Sequence, residues 1–426
     1  MITNRVTEEV FGDLCYTATH SSGMKVIVYP KAGYASTYAM FGTAYGSIHT
    51  TFKRSDEEDF VTVPEGIAHF LEHKLFESED GDAFARYAKT GASANAFTSF
   101  DKTCYLFSCS ENFKESFEIL LDFVQSPYFT QQTVQKEQGI IGQEIRMYDD
   151  NPGWKVFFNL LGGMYEKNPV KINIAGTVES IAKIDAELLY RCYRTFYNLS
   201  NMVLVVAGNC DPEEVFALAD ANLKECEPVT VEYVAPEEDQ GIVQSRVEER
   251  MAVSVPMFQL GFKEPAGKER VTGEKLAYTE ILLELLASDS SPLYRRMLDA
   301  GWINSSFGYE YLELPGCAAV VFEGETEHPD EVAAEIKKEI ARLRSEGIDP
   351  AEFERARKSI YGGEIAALGS AESVARQLVE CEFSHRKIGD EIRAAANATV
   401  EDIQRRLEEQ LWEENCVLSL VLPKEA

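Results

Sequence analysis

The chain is short of histidine, of basic residues and of long apolar runs. Its 426 residues include six His, three Trp and 41 Lys+Arg against 71 Asp+Glu, a formal net charge of −30. A surface this acidic lacks the basic face that nucleic acid requires, which excludes nucleic-acid partners. Solubility is the simplest consequence of the charge; an acidic cavity drawing in basic peptides is the sharper one. No apolar run reaches the length that spans a bilayer, so no membrane role is expected. The first residues, Met1 to Glu9, lack the apolar core of a signal peptide. Nine cysteines are scattered as Cys15, Cys104, Cys109, Cys192, Cys210, Cys226, Cys317, Cys381 and Cys416, with no C-x-x-C pair. That pattern argues against a thiolate metal site or a disulfide framework, and predicts free thiols in a reducing cytoplasm. No glycine-rich phosphate segment leads suitably into a helix, so nucleotide and flavin chemistry find no support.

Against this scarcity, two of the six histidines fall within five residues, His69-Phe70-Leu71-Glu72-His73. The pattern is H-x-x-E-H, the inverted zinc-protease motif. At this composition chance would place it in only about one such chain in seventy. On a helix, His69, Glu72, His73 and Phe76 share one side, while Ile67, Leu71 and Leu75 share the other. Two imidazoles four apart can grip one metal ion, and a carboxylate beside them can act as general base on metal-bound water. Zinc needs a third ligand and an open position. The segment Lys136 to Ile145 offers Glu137 and Glu144, two helical turns apart and so on one face. One would bind the metal and the other support its ligands; residue types alone do not choose between them.

The rest of the chain reads as α+β. Met24–Tyr29 and Ser36–Phe41 alternate as strands, and Met202–Gly208 reads as a buried strand. Asp82 is a plausible N-cap for a helix ending before Gly91. Helical patterning covers Phe113–Val124 and Val134–Tyr148, and Ala92–Cys109 is strand-like. Residues 187–206 resemble 401–420 at an offset of 214: Leu189 meets Ile403, Asn201 meets Asn415, and Val203-Leu204 meets Val417-Leu418. An offset of half the chain predicts duplication of one α+β unit. The expected division is a zinc-binding domain over 1–228, a polar, acidic linker over 229–248, and a degenerate repeat without a metal motif over 249–426.

These residues resemble the family of pitrilysin, insulin-degrading enzyme and mitochondrial processing peptidase. The resemblance is dense from Gly66 to Met147 and elsewhere one of layout. It implies two tandem homologous α/β-sandwich domains facing each other around a cavity, and one zinc per chain. It implies His69, His73 and Glu144 as zinc ligands, Glu72 as general base and Glu137 as a supporting catalytic carboxylate. The segment Gly91–Phe100 resembles the family's substrate-binding edge strand, with Asn95, Ala96 and Phe97 against the peptide backbone. Independently, a strand edge offers free N–H and C=O groups to an extended peptide. The activity implied is zinc-dependent endopeptidase action on small peptides or unfolded segments.

One feature departs from the family. Its second half often carries an arginine and a tyrosine seven positions apart that hold the substrate carbonyl. Here those places fall on Leu298 and Asn304, or without a gap on Arg295 and Trp302; Tyr309 and Tyr311 are near substitutes. Losing such partners typically costs about 10²–10³ in rate. Either the chain is degenerate and weakly active, or a homologous sister subunit supplies the pair, as in bacterial two-component members. Glu72-His73-Lys74-Leu75-Phe76 resembles the Gram-positive subgroup of such pairs. The heterodimer, in a bacterial cytoplasm, is the favoured expectation, with a homodimer as the other assembly. The rivals are a non-catalytic structural member, like the core subunits of respiratory complexes, and a peptide-binding subunit that does not cut.

Overall fold

The alternating, β-branched segments build a seven-stranded sheet. In chain order its strands are β1 (Ile2–Val10), β2 (Asp13–His20), β3 (Lys25–Pro30), β4 (Thr37–Thr43), β5 (Ser93–Thr98), β6 (Thr103–Cys109) and β7 (Met202–Gly208). Their spatial order is β1-β2-β3-β7-β4-β6-β5, in a computed structural model that describes residues 2–79, 81–264 and 270–424. β3 and β7 run parallel, and the other neighbours are antiparallel. β4 and β7 are buried along their whole length, as their apolar runs require of strands covered on both faces. Among the described residues β5 is an edge strand, paired to β6 alone.

A second sheet repeats the plan. Its strands are β8 (Arg246–Met251), β9 (Met257–Glu264), β10 (Gly308–Leu314), β11 (Cys317–Glu325) and β12 (Cys416–Pro423), ordered β8-β12-β9-β11-β10. Here too one pair, β8 and β12, is parallel and the rest are antiparallel. This matches β3-β7-β4-β6-β5 strand for strand. The offset of 214 holds in detail. Asp185 caps the helix Ala186–Phe196 before β7, and Thr399 caps Val400–Glu409 before β12. Both helices lead through a short 3₁₀ turn, Leu199–Asn201 or Glu413–Asn415, into their strand. The chain is therefore two tandem units of mixed helix and sheet.

Helices α1 (Ile67–Leu75) and α2 (Gln131–Asp149) carry the candidate site, and further along the chain are α3 (Pro152–Met164) and α4 (Ala371–Ser384). By contact, unit 1 comprises residues 1–145, 173–234 and 366–389, and unit 2 comprises 146–172, 235–365 and 390–426. The chain order and the spatial division differ at two helices. α3, from the first half of the chain, packs in unit 2 on β12, β9 and β8, where Ser419 Oγ donates to the Val156 carbonyl at 2.7 Å. α4, from the second half, packs in unit 1 on β7 and β4. Within the acidic stretch 229–248, Val231–Tyr233 pairs with Thr51–Arg54, and Arg246 opens β8.

Candidate metal centre

α1 begins abruptly after Val63-Pro64-Glu65. Its first residue follows Gly66, which has φ 86° and donates no side-chain cap. A Cβ there would stand 2.3 Å from the Ala175 carbonyl oxygen, so both backbone angle and space require glycine. The helix then buries Ile67, Phe70, Leu71 and Leu75 against the sheet side, as its apolar stripe predicts. Lys74 is fully buried and ion-paired to Glu77. The opposite side presents His69, Glu72 and His73.

α2 brings the two glutamates to that side. His69 Nε2 lies 3.6 Å from Glu144 Oε1, and His73 Nε2 lies 3.5 Å from Glu144 Oε2. The donor atoms of His69, His73 and Glu144 all fall within 4.8 Å of one another, the one such cluster found among the described residues. Glu137 does something different. Its Oε1 is 3.0 Å from His73 Nδ1, so it fixes the ring and leaves Nε2 turned toward Glu144. Burial works against a charged His73, but the Glu137 hydrogen bond and the carboxylates of Glu72, Glu144 and Glu137 outweigh it and raise its pKa. His69 Nδ1 is buried without a hydrogen-bond partner.

This donor set fits zinc. Ligand bonds of roughly 2.1 Å in a tetrahedron separate neighbouring ligand atoms by roughly 3.4 Å, close to the two His–Glu144 spacings. Two imidazoles and one carboxylate would supply three ligands, the number that catalytic zinc sites take from protein.

Glu72 is not among the clustered donors. Its Oε2 accepts a 2.6 Å hydrogen bond from Thr98 Oγ1 at the end of β5. Thr98 is in turn 3.3 Å from Thr103 Oγ1, which donates to the Tyr45 carbonyl at 2.8 Å. Thr98 is a site residue that pattern reading missed. It lies within Gly91–Phe100, but its hydroxyl acquires meaning only once α1 is seated on β5.

Asn95, Ala96 and Phe97 lie together on the edge strand, opposite Leu106, Tyr105 and Cys104. Their side chains alternate. Thr98, and with it Ala96, faces α1, whereas Phe97 faces α4, where the Arg376 guanidinium covers its ring at 5.2 Å. The Ala96 N–H donates to Asn95 Oδ1 at 2.9 Å. A cleft of about 580 Å³ adjoins the site, lined by Glu72, His73, Asn95 and Ala96 and by the exposed apolar side chains of Phe84 and Ile140.

In unit 2 the helix Gly273–Ala287 packs on edge strand β10 and on Val400–Glu409, as α1 packs on β5 and on Ala186–Phe196. It carries Glu280 and Glu284 four apart, and no histidine. The tyrosines nearby are engaged: Tyr309 donates to Glu284 at 3.0 Å and Tyr311 to Glu264 at 2.7 Å. Arg295 is well exposed and pairs with Asp299, and Asn304 Oδ1 accepts from the Ser306 N–H.

The sequence is 40% identical over 424 residues to a Bacillus subtilis protein named "Uncharacterized zinc protease YmfH", covering 98% of both chains. Family profiles match too, "Insulinase (Peptidase family M16)" over residues 62–178 and "Peptidase M16 inactive domain" over 183–360. The chain belongs to peptidase family M16. Among solved structures, an M16-like peptidase from Alicyclobacillus acidocaldarius is 37% identical, with a TM-score of 0.94 over 98% of this chain and all of the other. A chain of complex III2 from Candida albicans shares the fold at 15% identity, with a TM-score of 0.75 over 95% of each. The first M16 match spans the H-x-x-E-H helix and α2; the second, named for an inactive domain, covers the helix that carries Glu280 and Glu284 instead of histidines. No described helix is long and apolar enough to cross a membrane.

Proposed function

We propose that the chain is a zinc-dependent endopeptidase acting on small peptides or unfolded segments. The convergence of His69, His73 and Glu144 from two helices carries this reading. The naming of the Bacillus subtilis relative as a zinc protease agrees with it. These three side chains would hold one zinc ion. When bound, the metal would supply Lewis acidity, polarising a carbonyl and acidifying water.

The chain's own residues supply the rest. Glu72 takes a proton from the water that adds to the scissile carbonyl and delivers it to the leaving amine. Thr98 holds Glu72 by one oxygen, leaving the other to receive the proton. Glu137 keeps His73 in the ligating orientation. An extended peptide adds as a strand along residues 95–97, through backbone groups, since Phe97 turns its ring to the opposite face. The apolar walls of Phe84 and Ile140 suit an apolar side chain beside the cut bond.

A homologous sister subunit completes the apparatus with the arginine and tyrosine. The engagement of Tyr309, Tyr311 and Arg295 by neighbouring carboxylates supports this. Nine free cysteines support a reducing, cytoplasmic setting. The test is mass spectrometry of a mixed peptide pool incubated with zinc-loaded chain, with and without a candidate sister subunit. Cleavage should rise on adding the subunit and vanish in Glu72→Gln. Equal cleavage by wild type and Glu72→Gln would refute the base assignment, and robust cleavage by the isolated monomer would refute the heterodimer.

A further inference from the structure

We propose that α4 is a clamp that positions the edge hairpin, with Lys102, Glu380 and Arg376 as positioning residues for Thr98 and hence for Glu72. The idea extends the peptidase reading and rests on it for its catalytic consequence. An edge strand has a hydrogen-bonded neighbour on one side only, so packing on its two faces largely sets its place. On one face β5 meets α1 through the Thr98–Glu72 hydrogen bond. On the other it meets α4, which arrives from the second half of the chain.

The contacts on that second face are specific. The Arg376 guanidinium lies over the Phe97 ring at 5.2 Å. It is aimed there by Glu372, at 2.9 Å, and by the Tyr38 hydroxyl, at 3.3 Å. Tyr38 shares a sheet face with Gly42 on β4, and the Phe383 ring sits 3.3 Å from where a Gly42 Cβ would be. α4 is thus seated on the same row of the sheet that Phe97 and Cys104 continue to the edge.

The hairpin turn is held as well. Between β5 and β6 run Ser99, Phe100, Asp101 and Lys102. The turn closes by the Ser99 N–H to the Lys102 carbonyl at 2.8 Å, and Ser99 Oγ donates to Asp101 Oδ1 at 3.0 Å. Lys102 Nζ bridges Asp101 at 3.0 Å and Glu380 of α4 at 2.6 Å. Glu380 also pairs with Arg386 at 3.3 Å. The Lys102, Asp101 and Glu380 side chains are only 17%, 3% and 29% exposed, so the bridge is largely shielded from water, and without Glu380 Lys102 keeps Asp101 alone and the turn loses its tie to α4. Thr98 immediately precedes this turn and Thr103 immediately follows it. A turn that shifts moves both hydroxyls together, and Glu72 loses its hold.

Hydrogen exchange of the zinc-loaded chain tests the clamp without requiring turnover. In Glu380→Gln and in Arg376→Ala, the amides of Asn95 and Phe97, which face β6, should exchange about tenfold faster or more, with β7 and the second sheet unchanged. Arg376→Lys, which keeps a cation for the Phe97 ring, should recover most of the protection lost in Arg376→Ala. With the sister subunit present, the same single variants should raise KM and lower kcat while zinc content stays constant. Unchanged exchange at Asn95 and Phe97 in both single variants, or faster exchange spread evenly over the molecule, would overturn the clamp. If no peptide is cleaved under any condition yet exchange behaves as stated, the peptidase reading falls and the clamp stands. Glu380→Gln is near-isosteric and Arg376 is 44% exposed, so at least one variant folds.

Discussion

Thr98 Oγ1 donates a 2.6 Å hydrogen bond to Glu72 Oε2, joining the end of edge strand β5 to the carboxylate beside His69, His73 and Glu144. A hydrogen bond to a charged group contributes about 1.5–3 kcal/mol. Thr98→Val should therefore lower kcat by roughly ten- to a hundredfold with zinc content unchanged, and Thr98→Ser should restore most of it. Steady-state kinetics with parallel elemental analysis checks this.

The two glutamates of α2 should separate by their effect on zinc. Glu144 approaches both Nε2 atoms, whereas Glu137 touches only the far nitrogen of His73. Glu137→Gln should weaken zinc binding by about 10–100-fold. Glu144→Gln removes a proposed ligand and should weaken it more. Competition against a chelator of known affinity ranks the two; equal losses would remove the distinction.

Gly66 should tolerate no side chain. Its φ of 86° alone would strain alanine by on the order of 1 kcal/mol, and the 2.3 Å approach to Ala175 adds a clash with backbone. Gly66→Ala should lower stability by about 2 kcal/mol or more in urea unfolding, and should displace the start of α1.

Unit 2 contains a pH-sensitive carboxylate. Burial, then the charges of Glu364 and Glu284, push Glu280 up to about 7. A carboxyl with a higher pKa folded than unfolded holds its proton more tightly in the folded state. Its favourable contribution is complete below about pH 4.5, declines as pH rises, and is gone above about 7. Glu280→Gln should thus leave stability nearly unchanged near pH 4.5 and raise it by on the order of 3 kcal/mol above pH 7. Urea midpoints across that range check the sign.

Local signals were well expressed in the sequence. The helix Phe113–Val124, the Asp82 cap and the Gly91 stop all appear where their residues place them, because each depends on neighbours along the chain. The half-length repeat also survived, since Asp185 and Thr399 cap equivalent helices. The motif spacing placed His69 and His73 on one helix face but left Glu137 and Glu144 undecided; the resemblance singled out Glu144, the one that lies near both Nε2 atoms. What could not be read depends on which surface meets which. Thr98 finds Glu72 only across a helix–sheet contact, and Lys102 finds Glu380 across 278 positions. The exchange of α3 and α4 leaves no local trace, because an amphipathic helix reads the same whichever sheet it covers. The orientation of Phe97 toward Arg376 follows from strand alternation once Thr98 is known to face α1.

The zinc content of the purified chain tests the central claim most directly. Elemental analysis should find one zinc per wild-type chain, one in Glu72→Gln, and none in the double variant His69→Ala/His73→Ala. A wild-type chain that takes up no zinc, or a double variant that keeps its full complement, would contradict the metal centre and the peptidase built on it.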